Sequence, residues 1–334
     1  MASATKLNEK TATSILQFME PNLRFRINQQ ILALRDLEYD APLKLNRLTL
    51  ENSQMLVNDT IYKVVRNQYV TMGSGSKPEK TSFLDVTIKS KKTYKERLRT
   101  AYDVICAMMA FSDIFFNFRA KPIKVKHLEI TGNVQKYLQQ STKFIVQDLK
   151  LLHKHFKSNI HLLEPFLSKE SFPLKTVFLH GDRAEPNVGS YQHEWIEGAE
   201  YLQISDSSER VSWLPTLSVL KNTNVHLECY SFGKSSCVKL IETWLDEGRE
   251  IGAFFSIGCK SDEMIVQVLC ELAKLEGAVM ENNVLFGCRK FQKLVYLPMK
   301  DDKKLCIYIS KNLKIKQQSF SEWDINLCVF AKDN

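Results

Sequence analysis

Three histidines, His153, His155 and His161, stand close together in the run HKHFKSNIH. A helix that holds a metal between two histidines needs them three or four positions apart, so that both rings leave one face. Separations of two and six send these rings to different sides, so the run reads as solvated surface and no metal is expected. The eight cysteines, at 106, 229, 237, 259, 270, 288, 306 and 328, are widely and irregularly spaced, with no Cys-x-x-Cys pair to grip zinc. Most sit in apolar stretches such as Val104-Ile105-Cys106 and Leu305-Cys306-Ile307, where a reduced thiol behaves as a small hydrophobe. Cysteine used in this way suits a reducing compartment, so an intracellular place in the cytoplasm or nucleus is expected.

Phosphate and nucleophile chemistry find no support. Gly73-x-Gly75 lacks the rest of a dinucleotide fingerprint, and there is no Walker loop, Gly-x-Ser-x-Gly elbow or His-Glu-x-x-His. Twelve glycines in 334 residues are few for phosphate-cradling loops. Neither catalysis nor a cofactor is expected. The basic run Lys89, Lys91, Lys92, Lys95, Arg97 and Arg99 is opposed only by Glu96 and has the charge to meet phosphates or an acidic partner. No zinc-finger or RNA-recognition signature accompanies it, and a net charge of +8 is modest for this length, so it reads first as a solvated loop and helix start.

A binding surface is the chemistry that remains. Short Leu-x-Leu strands recur as Leu48-x-Leu50, Leu128-x-Ile130, Val177-x-Leu179, Leu202-x-Ile204 and Val225-x-Leu227. If their apolar members point inward, the opposite face presents His127 and Glu129, Phe178 and His180, Tyr201 and Gln203, then His226, Glu228 and Tyr230. Histidine and aromatic side chains at about 4.8 Å strand spacing would make a recognition surface for a protein substrate.

The elements that must position these residues can be read from spacing. At the amino end, Ile15 and Met19 are four apart, and Leu23, Ile27, Ile31 and Leu34 step by four, four and three, which predicts amphipathic helices over residues 7–39. Pro21 ends one helix or opens the next, and Pro42 closes the unit. Leading apolar positions at 128, 177, 202, 225 and 253 give steps of 49, 25, 23 and 28, near the leucine-rich-repeat period of about 20–29. Helices are expected between the strands, over Ile145–Phe156 (Ile145, Leu149, Leu152, Phe156), around Ile241 and Trp244, over Ile265–Leu272, and over 93–109. Such strand-helix units stack into a curved parallel sheet. Residues 71–80 read as a loop, and Lys293–Leu297 with Leu305–Ile309 as a C-terminal β-hairpin around Lys300-Asp301-Asp302-Lys303. The apolar run Val104–Phe111 is too short to span a bilayer, and the amino end has no secretion-signal pattern, so a soluble chain is expected.

The amino-terminal layout resembles a nematode F-box protein of the F-box C family, in which a divergent F-box precedes a domain of unknown function. Leu7 stands at the opening of that motif, Ile15-Leu16 at its isoleucine-leucine pair, Met19 at the next apolar position and Pro21 at its turn. The motif's opening proline is Asn8 here, its usual cysteine position falls near Ile31, and no tryptophan precedes Trp195. Further along, Phe172-Pro173-Leu174-Lys175, Asn222-x-Asn224-Val225 and Leu240-Ile241-x-x-Trp244-x-x-Glu247-Gly248-x-x-Ile251-Gly252 are similar to the same group. The resemblance implies a substrate-recognition adaptor of a cullin-based ubiquitin ligase. Leu7, Ile15, Leu16, Met19 and Pro21 would contact the small linker subunit, and through it a cullin.

The expectation is therefore an α/β chain: a small helical F-box-like head over residues 1–42, then a degenerate leucine-rich-repeat-like strand-helix body over 43–334. Its function is to bind a protein target, with no catalysis of its own. The alternatives are a scaffold outside any ligase, or a weak nucleic-acid or acidic-partner binder acting through residues 89–99.

Overall fold

A computed structural model of the chain describes residues 8–71, 79–90, 93–99, 103–152, 156–181, 192–206, 212–229, 231–259, 261–286, 289–311 and 321–332. The chain divides into two compact units, residues 1–151 with 158–171, and residues 152–157 with 172–334.

The first unit begins with helices α1 (Glu9–Phe18), α2 (Pro21–Gln30) and α3 (Arg35–Asp40), the last preceded by a 3₁₀ turn at Leu32–Leu34. Each boundary has a chemical cause. The Asn8 side chain caps α1 by accepting from the Lys10 N–H, and the Glu20 carboxylate caps α2 by accepting from the Leu23 N–H at 2.8 Å. Pro21 occupies the first turn of α2, where a missing N–H costs nothing. Strands β1 (Lys44–Leu50), β2 (Gln54–Val57), β3 (Thr60–Thr71), β4 (Glu79–Lys89) and β5 (Thr93–Arg99) follow as an antiparallel meander. After α4 (Val104–Phe115) come β6 (Ile123–Ile130), β7 (Phe144–Leu152) and α5 (Phe156–Leu163). The sheet order is β7-β6-β1-β2-β3-β4-β5, with β1, β6 and β7 parallel.

Two predicted helices are strands, for identifiable reasons. Residues 93–99 pair with β4, placing Tyr94 opposite Ile88 and Leu98 opposite Leu84, and the helix starts only at α4, where the Asp103 side chain accepts from the Cys106 N–H. Residues 144–152 form β7, and α5 begins only at Phe156. The misleading spacing there has a structural origin. In β1, β6 and β7 the inward pairs Leu45/Leu48, Val125/Leu128 and Val146/Leu149 are three apart, with two outward residues between them. A strand that steps this way breaks strict alternation and imitates helical periodicity.

The second unit contains β8 (Thr176–Gly181), α6 (Glu194–Glu197), β9 (Tyr201–Asp206), α7 (Leu214–Val219), β10 (Asn224–Cys229), α8 (Lys234–Glu247), β11 (Phe254–Cys259), α9 (Asp262–Leu272), β12 (Val279–Phe286), β13 (Arg289–Pro298), β14 (Lys303–Lys311) and β15 (Trp323–Ala331). The order is β12-β13-β14-β15-β11-β10-β9-β8. Strands β8 to β11 are parallel, and the remaining pairs are antiparallel. The predicted repeat starts at 177, 202, 225 and 253 fall in or beside these parallel strands, and the one at 128 falls in β6 of the first unit. The β13–β14 hairpin turns at Asp301-Asp302, whose φ values of 58° and 51° are those of a type I′ turn.

The distinctive residues of this unit hold its joints. The Asn222 amide donates to the carbonyls of Ile196 and Ala199 at 2.6 and 3.3 Å, and Asn224 donates to that of Glu200, fixing the start of β10 beside the start of β9. On α8, Leu240, Ile241 and Trp244 are fully buried, and Gly248 ends the helix at φ 82°, where a side chain would be strained. Arg249 then folds over the Trp244 ring and donates to the carbonyls of Leu217, Ser218 and Leu220, satisfying the end of α7.

All seven described cysteines are free. Burial pushes the thiols of Cys259 and Cys306 up to about 12 and raises that of Cys237 further. An unfolded thiol ionises at about 8.5, so above that pH the unfolded chain releases protons that the folded chain retains. Stability contributed by these thiols is therefore complete below pH of about 8.5 and falls as pH rises towards 12. Urea midpoints measured from neutral pH upwards are expected to decline, and variants with Cys259→Ala or Cys306→Ala to decline less steeply.

Candidate protein-binding surfaces

The head helices are fixed to their sheet by polar groups. Glu38, on α3, is wholly buried between two guanidiniums, with Arg24 Nε at 2.8 Å and Arg119 Nη2 at 2.6 Å. Arg24 also donates to the carbonyls of Leu16, Glu38, Ala41 and Pro42, at 2.7–3.3 Å, tying together the end of α1, α3 and the entry to β1. Burial lowers the Arg24 pKa from its usual value, and the Glu38 charge opposes that shift. Arg119 donates to the Phe115 carbonyl and joins the end of α4 to the same carboxylate. The Asn22 amide donates to the Val57 carbonyl and accepts from the Tyr62 hydroxyl at 2.8 Å. Phe25 packs on Phe115 with ring centroids 4.6 Å apart.

The buried side of α2 is thus Asn22, Arg24, Phe25 and Asn28, while Leu23 and the Ile31 that follows the helix are exposed and Ile27 is half-buried. Pro21 is buried as well, and the outward side carries Leu23 beside Arg26, Gln29 and Gln30. On α1, Ala12 and Leu16 face inward, Phe18 is 90% exposed and Ile15 47% exposed. Leu32, in the 3₁₀ turn, is also exposed.

This arrangement divides the residues expected to contact a linker subunit. Ile15 is available and Met19 is half-buried, whereas Leu16 and Pro21 are inside the unit and present no side chain to a partner. The reason is helical geometry: neighbours such as Ile15 and Leu16 are about 100° apart around the axis and cannot share a face. Leu7 lies outside the described residues. The spacing of three from Ile15 to Phe18 would have pointed to Phe18.

The expected substrate-facing residues fall in both units. In the first, His127 is exposed and meets Asp148 at 2.7 Å, and the half-buried Glu129 lies between Arg47 at 3.0 Å and Lys150 at 3.1 Å. Register explains the ladder, since Arg47, His127 and Asp148 are aligned across β1, β6 and β7, as are Thr49, Glu129 and Lys150. Its members are about equally positive and negative, and the partners were hidden from a reading of single strands. On β3 to β5, exposed Lys63 and Lys95 flank Thr87 on one face, and Lys89 is exposed. Lys91, Lys92, His153 and His155 lie outside the described residues.

In the second unit, Phe178, Gln203 and His226 are aligned across β8, β9 and β10, with His180, Ser205 and Glu228 in the next polar row. Phe178, His180, Tyr201 and Gln203 are half-exposed. His226 and Glu228, expected at the surface, are buried, with His226 only 3% exposed. Ser321, before β15, lies against Glu228, with its hydroxyl 3.4 Å from Glu228 Oε1, and a Cβ on Gly258 would meet Ser321 Oγ at 2.5 Å; His226 Nε2 lies 3.6 Å from the same carboxylate. The row continues through Ser256 and Asn326, which sequence reading missed because β15 joins β11 from the far end of the chain. Tyr230 lies outside the described residues.

Residues 105–261, from within α4 to just past β11, match the family described as Domain of unknown function (DUF3557). That is just under half of the chain. No curated protein matches the chain. Among the described residues, no helix is long and apolar enough to cross a membrane.

Removing the Glu38 charge leaves two buried guanidiniums uncompensated, which costs about 3–5 kcal/mol. Glu38→Gln is expected to lower stability by that amount in urea unfolding, with the loss appearing in the transition that reports on α1–α3.

Proposed function

We propose that the chain is a protein-binding adaptor whose head presents apolar side chains to a partner, and that the partner is the linker subunit of a cullin-based ubiquitin ligase. One observation carries the reading: the head leaves the large apolar side chains of Ile15, Phe18, Leu23, Ile31 and Leu32 exposed. Exposed aromatic and aliphatic residues on a rigid base are what a helical interface uses as anchors. The choice of partner rests on the F-box-like order of Leu7, Ile15-Leu16, Met19 and Pro21, and the DUF3557 match over 105–261 agrees with that layout.

In this reading the chain performs no chemistry. It raises the local concentration of a bound protein target near a ubiquitin-transferring centre on other subunits. The Glu38 network matters to that role because a head that swivelled on its base would not hold a target in reach. Each unit offers its own candidate target-binding side chains: the half-exposed Phe178, His180, Tyr201 and Gln203 in the second, and the exposed His127 with the half-exposed Glu129 in the first.

Capture of purified linker subunit, alone and with cullin, by the full chain tests the proposal. Wild-type chain is expected to retain both, and Ile15→Asp or Phe18→Asp to weaken capture by about 10-fold or more. Both side chains are exposed, so the variants are expected to fold as wild type. Failure of folded wild-type chain to hold the linker, or capture indifferent to both substitutions, would contradict the reading.

A further inference from the structure

The first unit holds a cavity of about 160 Å³ where the chain enters β6 and β7. That is room for several waters, and so for a small polar ligand. It is lined by residues of the link from α4 to β6 and by Ser141, Thr142 and Lys143, ahead of β7.

Every charged residue of the lining is a cation: Arg119, Lys121 and Lys143. Lys121 and Lys143 are exposed, whereas the Arg119 side chain is only 3% exposed. Of the five N–H donors of a guanidinium, Arg119 uses three, on the Phe115 carbonyl, the Glu38 carbonyl and the Glu38 carboxylate. The other two have no partner among the described residues. A buried donor left unpaired is costly, so one on a cavity wall calls for an acceptor inside it.

Charge points the same way. Arg24 and Arg119 share one carboxylate, Glu38, so the buried cluster keeps one positive charge unmatched. Asp113, on α4, turns its carboxylate to the amides of Asn117 and Gln139 and is not part of the lining. The ammonium groups of Lys121 and Lys143 add to the unmatched guanidinium charge, and a dianion answers that sum better than a single carboxylate. Lys143 spends one donor on the Pro165 carbonyl, and the exposed Ser141 adds a hydroxyl. Phe118 lines the cavity while 63% exposed, at a φ of 64° that is strained for an aromatic residue. Its ring offers an apolar contact to whatever carries the anion. We propose that this cavity binds a phosphoryl group, held by Arg119, Lys121 and Lys143. The inference does not depend on the adaptor reading, since no residue offered to the linker subunit lines the cavity.

Phosphorus NMR of inorganic phosphate in the presence of the full chain tests the proposal. Phosphate is expected to bind with a dissociation constant below about 10 mM. Lys121→Glu with Lys143→Glu is expected to weaken binding by about 10-fold or more. The same charge change at Lys126 and Lys136, exposed and outside the lining, is expected to alter it by less than about 2-fold. All four side chains are exposed, so both variants are expected to fold as wild type, which circular dichroism checks. Phosphoserine blocked at both ends identifies the source. Tighter binding than inorganic phosphate assigns the cavity to a phosphorylated side chain, and equal or weaker binding assigns it to the free ion. Acetate at the same concentration is not expected to displace phosphate. No phosphate binding by the folded wild-type chain overturns the proposal. So does an equal loss in the Lys126 and Lys136 variant, or displacement by acetate.

Discussion

The placement of Glu38 between Arg24 and Arg119 is the constraint on which the first unit depends. The three residues come from α2, α3 and the segment after α4, and each guanidinium also serves backbone carbonyls that would otherwise be buried without donors. Satisfying these charges inside determines what must lie outside. A helix of ten residues has room for one inward face, and on α2 that face is taken by Asn22, Arg24, Phe25 and Asn28. Leu23 is left on the outward side with Arg26, Gln29 and Gln30.

Much of the second unit was legible because its signals are local. Parallel strands at steps of 23 to 28 residues, the Asp301-Asp302 turn and the Trp244…Gly248 helix end each depend on residues close in sequence. The work of two asparagines in the first unit was not legible. Asn52 and Asn133, each just after a Leu-x-Leu strand, meet when the Asn52 side chain accepts from the Asn133 N–H at 2.9 Å, and Gly132 leaves the space that this contact needs.

What stayed hidden was long-range. The helix predicted over 93–109 is split because pairing with β4 outweighs the local preference of residues 93–99. The helix predicted from Ile145 is a strand whose inward residues step by three, in register with the same step on β1 and β6. The buried Glu228 meets Ser321, about ninety residues away in sequence.

The two units also handle open surface differently. The sheet face of the first unit is covered by paired charges such as Glu129 with Arg47 and Lys150, which keep it solvated. In the second unit the polar row runs partly beneath the approach to β15, leaving Phe178, His180 and Gln203 half-exposed. Exposed large apolar side chains include Ile15, Phe18, Leu23, Ile31 and Leu32 on the head, Phe118 after α4, and Ile251, Val279 and Met280 in the second unit. Association with other chains at such side chains removes unfavourable contact with water.

The central claim is that the head is a fixed part of the first unit, held by its buried charges. Amide hydrogen exchange along the full chain measures this directly. The account predicts that α2 and α3 open only together with β1 and β3, with opening free energies equal to within about 1 kcal/mol. Exchange of α2 amides at a free energy near zero, while β1 remains protected, would contradict it.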